Sequence, residues 1–162
     1  MFQSKAYSGN REEDEATVLT QLDSLIRDET DAIANLANAA ALLAHYLHDV
    51  SWVGFYRVDP VSRGELVLGP FHGLPACVRI PLGKGVCGTA AARRATINVP
   101  DVHAFPGHIA CDAASASEVV IPLVSGGQLV GVLDVDSPLP ARFTAADVAW
   151  LERFVAVLSR RL

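Results

Sequence analysis

The three cysteines, Cys77, Cys87 and Cys111, are the side chains of this sequence that are best suited to covalent chemistry. They lie 10 and 24 residues apart, which fits neither a CxxC redox motif nor the paired CxxC spacing of a zinc ribbon. Three thiols cannot all pair within one chain, so we expect reduced cysteines in a cytoplasmic protein. The alternative is that all three are small residues of the hydrophobic core.

The surroundings of Cys111 favour a reactive thiol. His108 and Asp112 flank it, and a run of small residues follows at 113–117 that would let a ligand approach. If Asp112 opens a short helix, Cys111 lies at its positive N-terminal end, where a thiolate is stabilised and the thiol pKa falls. The alternative is a buried thiol beside a chance histidine.

A second group of candidate residues is acidic. Glu118 begins one apolar segment, and Asp134 and Asp136 lie within another. With a strand period of two, Asp134 and Asp136 face the same side, where carboxylates are costly unless they are paired or useful. Crowding would raise the pKa of at least one of them, so that it could donate a proton near neutrality. The alternative is a solvated strand end.

Metal and phosphate chemistry are weaker interpretations. His103, His108 and Cys111 offer three metal ligands, but their spacing matches no standard zinc pattern. Residues 83–89 lack the Gly-x4-Gly-Lys-Ser/Thr order of a phosphate loop. The Gly83-Lys84-Gly85 stretch instead predicts backbone N–H groups before a helix that could hold a small carboxylate.

The elements that must position these residues follow from the hydrophobic pattern. Helical spacing predicts amphipathic helices over 12–27 and 29–48, and a C-terminal helix after a capping-box-like sequence at 144–147. Short aromatic and β-branched runs predict strands at 52–58, 65–68, 77–82, 96–99, 118–124 and 128–135, with a helix near 88–94. Residues 100–117 show no period and are expected to form a long connection. The order predicts an α+β domain, an antiparallel sheet with helices on one side.

Length and composition limit the class of protein. The 162 residues correspond to one domain, and a hydrophobic content of 51% excludes disorder. The net charge of −5 argues against a nucleic-acid surface. The longest apolar run, 39–44, is far shorter than the ~18 residues of a membrane span, and the polar start resembles no export signal. We expect a cytoplasmic protein with a flexible segment over 1–14 and no membrane partner. The sequence leaves open whether it forms a homodimer.

Seven segments of the sequence carry a family resemblance: residues 51–56, 66–71, 75–81, 83–90, 100–103, 107–115 and 131–137. They resemble the free methionine-(R)-sulfoxide reductases, which are single GAF domains. The resemblance extends over nearly the whole chain, and three cysteines at this spacing are specific to the reductases among GAF domains. The resemblance implies one GAF domain over 1–162, with a central antiparallel sheet and the N- and C-terminal helices packed on one side.

The resemblance also implies a role for individual residues. It makes Cys111 the nucleophile, Cys77 the resolving cysteine and Cys87 an accessory thiol. It implicates Glu118, Asp134 and Asp136 in holding and polarising the substrate, and Trp52 and Tyr56 in lining the pocket. The implied activity reduces free L-methionine-(R)-sulfoxide through a sulfenic acid and then a disulfide, with thioredoxin as external reductant, no bound cofactor and a role in oxidative stress.

Two other classes of function remain open on the sequence. One is a non-catalytic GAF module that binds a small ligand, and the other is a redox-sensing interaction protein. The second would use the thiols but would not need three acids facing a pocket. Release of methionine from the R epimer distinguishes both from an enzyme.

Overall fold

A computed structural model describes residues 6–107 and 114–162 of the chain. The helices in these ranges are α1 (Arg11–Ile26), α2 (Ala32–Tyr46), α3 (Gly85–Arg93) and α4 (Ala145–Leu158). The strands are β1 (Trp52–Val58), β2 (Glu65–His72), β3 (Arg79–Pro81), β4 (Ile97–Val99), β5 (Ser117–Ser125) and β6 (Gln128–Ser137). Within the described residues they form one antiparallel sheet in the order β3-β2-β1-β6-β5-β4.

Side-chain caps fix the starts of the three long helices. Asn10 accepts a hydrogen bond from the Glu13 amide at the start of α1, and Asp31 accepts one from Ala34 at the start of α2. Thr144 and Asp147 form the predicted capping box of α4, with each side chain bonded to the other residue's backbone. Each cap satisfies an amide that has no intrahelical acceptor, which is why these helices begin where they do.

The two faces of the sheet have different coverings. Val53, Phe55, Val119, Leu133 and Val135 point to the face that packs against α1, α2 and α4. This confirms the N- and C-terminal helices on one side. The alternate residues pack against α3 on the opposite face, so the expectation that all helices share one side is wrong for α3. The reason is strand periodicity, since these strands are apolar on both faces.

Several boundaries differ from the sequence predictions, and three of the differences concern α1 and the surroundings of Cys77. Helix α1 begins at Arg11, one residue before the predicted helix, and so includes residues 11–14 of the segment expected to be flexible. Asp14 is buried there and accepts hydrogen bonds from the Ser8 and Gly9 amides. Strand β2 continues past Leu68 to His72, opposite β1. Strand β3 is limited to Arg79–Pro81, so Cys77 lies in the loop before it and not on a strand.

The described residues of the connection after β4 include a short helical turn and a hydrogen bond to its far end. Val102–Ala104 form a 3-10 turn, and the Val102 amide donates to the Ala116 carbonyl at 3.0 Å. This bond ties the start of the connection to the residue before β5. No helix among the described residues is both long and apolar enough to cross a bilayer.

Candidate active site

The candidate site is assembled by the pairing of β1, β6 and β5. Asp136 lies opposite Trp52 on one side and opposite Glu118 on the other, and Asp134 lies between Gly54 and Val120 in the next row of the same face. Paired residues of an antiparallel sheet have Cβ atoms about 4.5–5.5 Å apart. The register therefore brings together three acids from the two strands of the β5–β6 hairpin.

Two of the three acids are deeply buried. Glu118 is 5% exposed and Asp134 is 7% exposed, whereas Asp136 is half-buried. Burial, together with the nearby charge of Asp136, raises the pKa of Glu118 to about 8. Burial, together with the charge of Glu118, also raises the pKa of Asp134 well above its usual value. The cluster thus retains protons at neutral pH, because adjacent buried carboxylates cannot all ionise.

Cys87 adjoins the acids on the first turn of α3. Its Sγ donates to Glu118 Oε1 at 3.9 Å, and burial next to Asp134 and Glu118 raises the pKa of the thiol well above its usual value. A thiol in this state is a poor nucleophile, because the thiolate is the reactive form. Of the cysteines in the described ranges, Cys87 is the free one, and Cys77 is disulfide-bonded.

Two aromatic residues of β1 form a wall of the site. Trp52 and Tyr56 are buried on the same face as the acids, and their rings stack with centroids 5.9 Å apart. Residues 74–76 of the β2–β3 loop and Ile80 line the same cleft as the acids. Acidic and apolar side chains share this lining, which suits a small ligand with a charged part and an apolar part.

The start of α3 lies where the Gly83-Lys84-Gly85 stretch predicts backbone N–H donors. Gly85 and Val86 line the cleft, and Lys84, the N-cap residue, makes no side-chain capping bond. First-turn amides of a helix have no intrahelical acceptor and carry partial positive charge. This end of the cleft can therefore accept a carboxylate.

Ser115 is a cleft residue that the sequence analysis missed as an individual site. It is buried, it lines the cleft, and its hydroxyl finds no hydrogen-bond partner within the part of the chain that the structure describes. Asp134 Oδ1 is likewise buried without a hydrogen-bond partner among the described residues. Buried polar atoms without partners mark positions where a ligand can make the missing bonds. The sequence signal was the small-residue run, which gave no reason to single out this serine.

The other predicted residues have different outcomes. Cys111, His108 and Asp112 lie outside the described residues, as do the helix expected at Asp112 and two of the three ligands of the suggested histidine metal set. Cys77 is half-buried and directly follows the cleft residues Pro75 and Ala76. The remaining predicted site residues, Trp52, Tyr56, Cys87, Glu118, Asp134 and Asp136, line one cleft.

A different set of ligand atoms could hold a metal ion. Cys87, Glu118 and Asp134 place one sulfur and two carboxylate oxygens within 4.8 Å of one another. The same three side chains can also be interpreted without a metal. The hydrogen bond from the thiol to Glu118 and the raised pKa values of the two carboxyl groups indicate protonated acids beside a neutral thiol. This is also the arrangement that proton donation requires.

Comparison with known proteins places this cleft in a family. The GAF domain model matches residues 21–162. Free methionine-R-sulfoxide reductase of Escherichia coli is 50% identical over 153 residues, covering 94% of this chain and 91% of that protein. This chain belongs to the GAF-domain family of free methionine-R-sulfoxide reductases. It is accordingly an oxidoreductase.

Two further relatives extend the comparison. Protein YtsP of Bacillus subtilis is 54% identical over 162 residues, covering 100% of this chain and 99% of that protein. The crystal structure of free methionine-R-sulfoxide reductase from Neisseria meningitidis in complex with its substrate superposes with a TM-score of 0.93 at 46% identity, covering 99% of this chain and 95% of that one. The fold of this chain is therefore the fold of a member that binds this substrate.

Proposed function

We propose that this protein reduces free methionine-R-sulfoxide to methionine. The observation that carries the proposal is the protonated acid cluster at the base of an aromatic-walled cleft, with Glu118 titrating at about 8. A sulfoxide oxygen leaves poorly, so attack on its sulfur needs a proton donor close by. Burial raises the pKa of both Glu118 and Asp134, so either acid can supply this proton.

The cleft also offers a contact for each part of the amino acid. Asp136, the least buried of the three acids, suits the ammonium group. The amides at the start of α3 suit the carboxylate. Trp52 suits the S-methyl group, because an indole ring supplies apolar contact over a large area.

We infer the following reaction. The Cys111 thiolate attacks the sulfoxide sulfur while an acid of the cluster protonates the oxygen, and the oxygen then passes to Cys111 as methionine leaves. The products are methionine and a sulfenic acid on Cys111. Attack by the Cys77 thiol on the sulfenic sulfur releases water and forms a disulfide, which the dithiol of thioredoxin reduces in turn.

The bonding states of the cysteines support Cys77 as the resolving thiol. The chain contains three cysteines, Cys77 is disulfide-bonded and Cys87 is free. Cys87 is also poorly suited to rapid exchange, because its raised pKa leaves little thiolate. We assign it an accessory role. Because the proposed cycle needs reduced thiols, we place the protein in the cytoplasm.

The deciding experiment measures methionine released from each epimer of free methionine sulfoxide, first with dithiothreitol and then with thioredoxin. We expect release from the R epimer, little from the S epimer, and none from Cys111→Ser with either reductant. Binding of the R epimer without release would instead support a ligand-binding GAF module. Activity of Cys111→Ser near that of the natural protein would remove Cys111 from the nucleophilic role.

A further inference from the structure

The loop that carries Cys77 is only partly buried, with Ala76 and Cys77 packed against the core cluster on the α3 face of the sheet. Leu74 is 66% exposed and Val78 is 64% exposed, so the apolar side chains at both ends of this loop face outward. The Leu68 amide donates to the Val78 carbonyl at 2.9 Å, which joins the end of the loop to β2. A segment with few buried contacts opens readily unless other bonds restrain it.

Besides the disulfide of Cys77, two hydrogen bonds from the centre of the sheet restrain this loop. Trp52 Nε1 donates to the Leu74 carbonyl at 3.1 Å, and Tyr56 Oη donates to the Cys77 carbonyl at 3.0 Å. Both donors come from β1, four residues apart on one face. The loop is therefore attached to the same strand at Leu74 and again at Cys77.

The donors themselves are held firmly. The Trp52 ring stacks on Tyr56 and also on Phe71, at a centroid distance of 5.3 Å and an interplanar angle of 15°. Glycines leave the space that the indole ring occupies. A Cβ on Gly54 would lie 2.7 Å from Trp52 Cη2, and one on Gly73 would lie 2.5 Å from Trp52 Cδ1. Burial and nearby acids also raise the Tyr56 pKa, so its hydroxyl remains a donor across the working pH range.

We propose that Trp52 and Tyr56 are positioning residues for the second chemical step, because their hydrogen bonds hold the Cys77 loop where its thiol can reach the sulfenic acid. This inference rests on the proposed function. Disulfide formation demands a narrow range of distance and angle between the two sulfurs. Fixing one partner in that range raises the rate of an intramolecular reaction. The two aromatic residues thus serve the resolving cysteine as well as the cleft wall.

The test isolates the second step from substrate binding. Reduced protein receives one equivalent of hydrogen peroxide, which oxidises the Cys111 thiol to the sulfenic acid and leaves water. The Cys77 thiol then forms the disulfide and releases a second water. Mass spectrometry follows the disulfide, and dimedone labelling follows the sulfenic acid that remains. Tyr56→Phe keeps the ring and removes only the donor.

We expect Tyr56→Phe to form the Cys77–Cys111 disulfide about tenfold more slowly and to accumulate dimedone-labelled Cys111, as loss of one well-placed hydrogen bond predicts. Trp52→Phe removes the other donor and should act in the same direction. Tyr7→Phe is the matched control. It also removes a tyrosine hydroxyl, but the Tyr7 ring packs against Tyr46 of α2, on the other face of the sheet. It should form the disulfide at the natural rate.

Other results would overturn the inference. One such result is that Tyr56→Phe and Trp52→Phe both form the disulfide as fast as the natural protein. Another is that Tyr7→Phe slows disulfide formation as much as they do. Thermal unfolding of each variant distinguishes a general loss of stability, which would slow disulfide formation in proportion to unfolding. If the natural protein releases no methionine from the R epimer, the proposed function fails, while the peroxide experiment still tests the positioning role.

Discussion

At the scale of single residues, the protonation of Glu118 controls the proposed chemistry. We expect Glu118→Gln to slow methionine release by about 10²-fold or more, as loss of a general acid predicts. The rate of the natural protein should decline as pH rises through about 8, where Glu118 loses its proton. Steady-state rates from pH 6 to 9.5 measure this. Glu12→Gln, on the exposed first turn of α1, is the control. A near-natural rate in Glu118→Gln would return this acid to a structural role.

The same residue makes a prediction about stability. Its pKa is about 8 in the folded protein against an ordinary 4.5, so between these values the folded chain keeps a proton that the unfolded chain has lost. The free energy of unfolding should therefore fall as pH rises through this window, by at most about 1.4 kcal/mol per pH unit from this group. Glu118→Gln lacks this contribution, so its free energy of unfolding should increase relative to that of the natural protein as the pH rises. Urea unfolding at pH 5, 6.5 and 8 measures the difference, and a constant difference would contradict the prediction.

Ser115 carries the third prediction at this scale. Its buried hydroxyl lacks a partner among the described residues, and a bound substrate can supply one. Ser115→Ala should raise KM for the sulfoxide by about tenfold, which corresponds to one hydrogen bond, with little loss of stability. Ser117→Ala is the matched control, because Ser117 Oγ already donates to the Leu139 carbonyl at 2.6 Å. That variant should lose stability and keep its KM. An unchanged KM in Ser115→Ala would remove this serine from the binding site.

At the scale of elements, strand β1 joins the core of the sheet to the wall of the cleft. Gly54 makes this possible, since a Cβ there would lie 2.7 Å from Trp52 Cη2 and 2.8 Å from Phe71 Cα. We expect Gly54→Ala to lower the free energy of unfolding by about 1–3 kcal/mol, because backbone of β2 cannot move aside cheaply. It should also change the tryptophan fluorescence.

Gly64→Ala is the control for this prediction. Its new Cβ would meet nothing closer than 3.8 Å, so we expect a change within about 0.5 kcal/mol. Denaturant midpoints of the two variants provide the comparison. Equal midpoints would show that the tight packing around Trp52 relaxes without cost.

At the scale of the whole molecule, the lining of the cleft limits the substrate. Between α3, the Cys77 loop and the sheet, the cleft offers acids, helix amides and apolar side chains that suit the charged and apolar parts of one free amino acid. Capping the amino group or the carboxylate removes a charge for which the cleft offers a partner. We expect N-acetylmethionine sulfoxide and a methionine sulfoxide tripeptide to lose at least about 10²-fold in kcat/KM relative to the free R epimer. Comparable efficiency on an unfolded oxidised protein would contradict this. Sedimentation of the same preparation tests the homodimer that the sequence leaves open.

The sequence by itself determined much of the fold and the identity of the chemical groups. Periodicity located α2, α4, β1, β5 and β6, because each buries one or both faces in a regular pattern. It also marked Asp134 and Asp136 as unusual, since acids in an apolar strand need a reason. The family roles of Cys77 and Cys111 came from the resemblance, as their spacing alone fits no general redox motif.

The tertiary structure decided what the sequence could not. The pairing of Glu118 with Asp136, and of Asp134 with Gly54, depends on strand register, and this proximity together with burial sets the carboxyl pKa values. The side of α3, the loop position of Cys77 and the exposure of Leu74 depend on packing between elements that are distant along the chain. Local sequence encodes local periodicity, whereas register, desolvation and hydrogen bonds such as that of Tyr56 to the Cys77 carbonyl arise only when the elements meet.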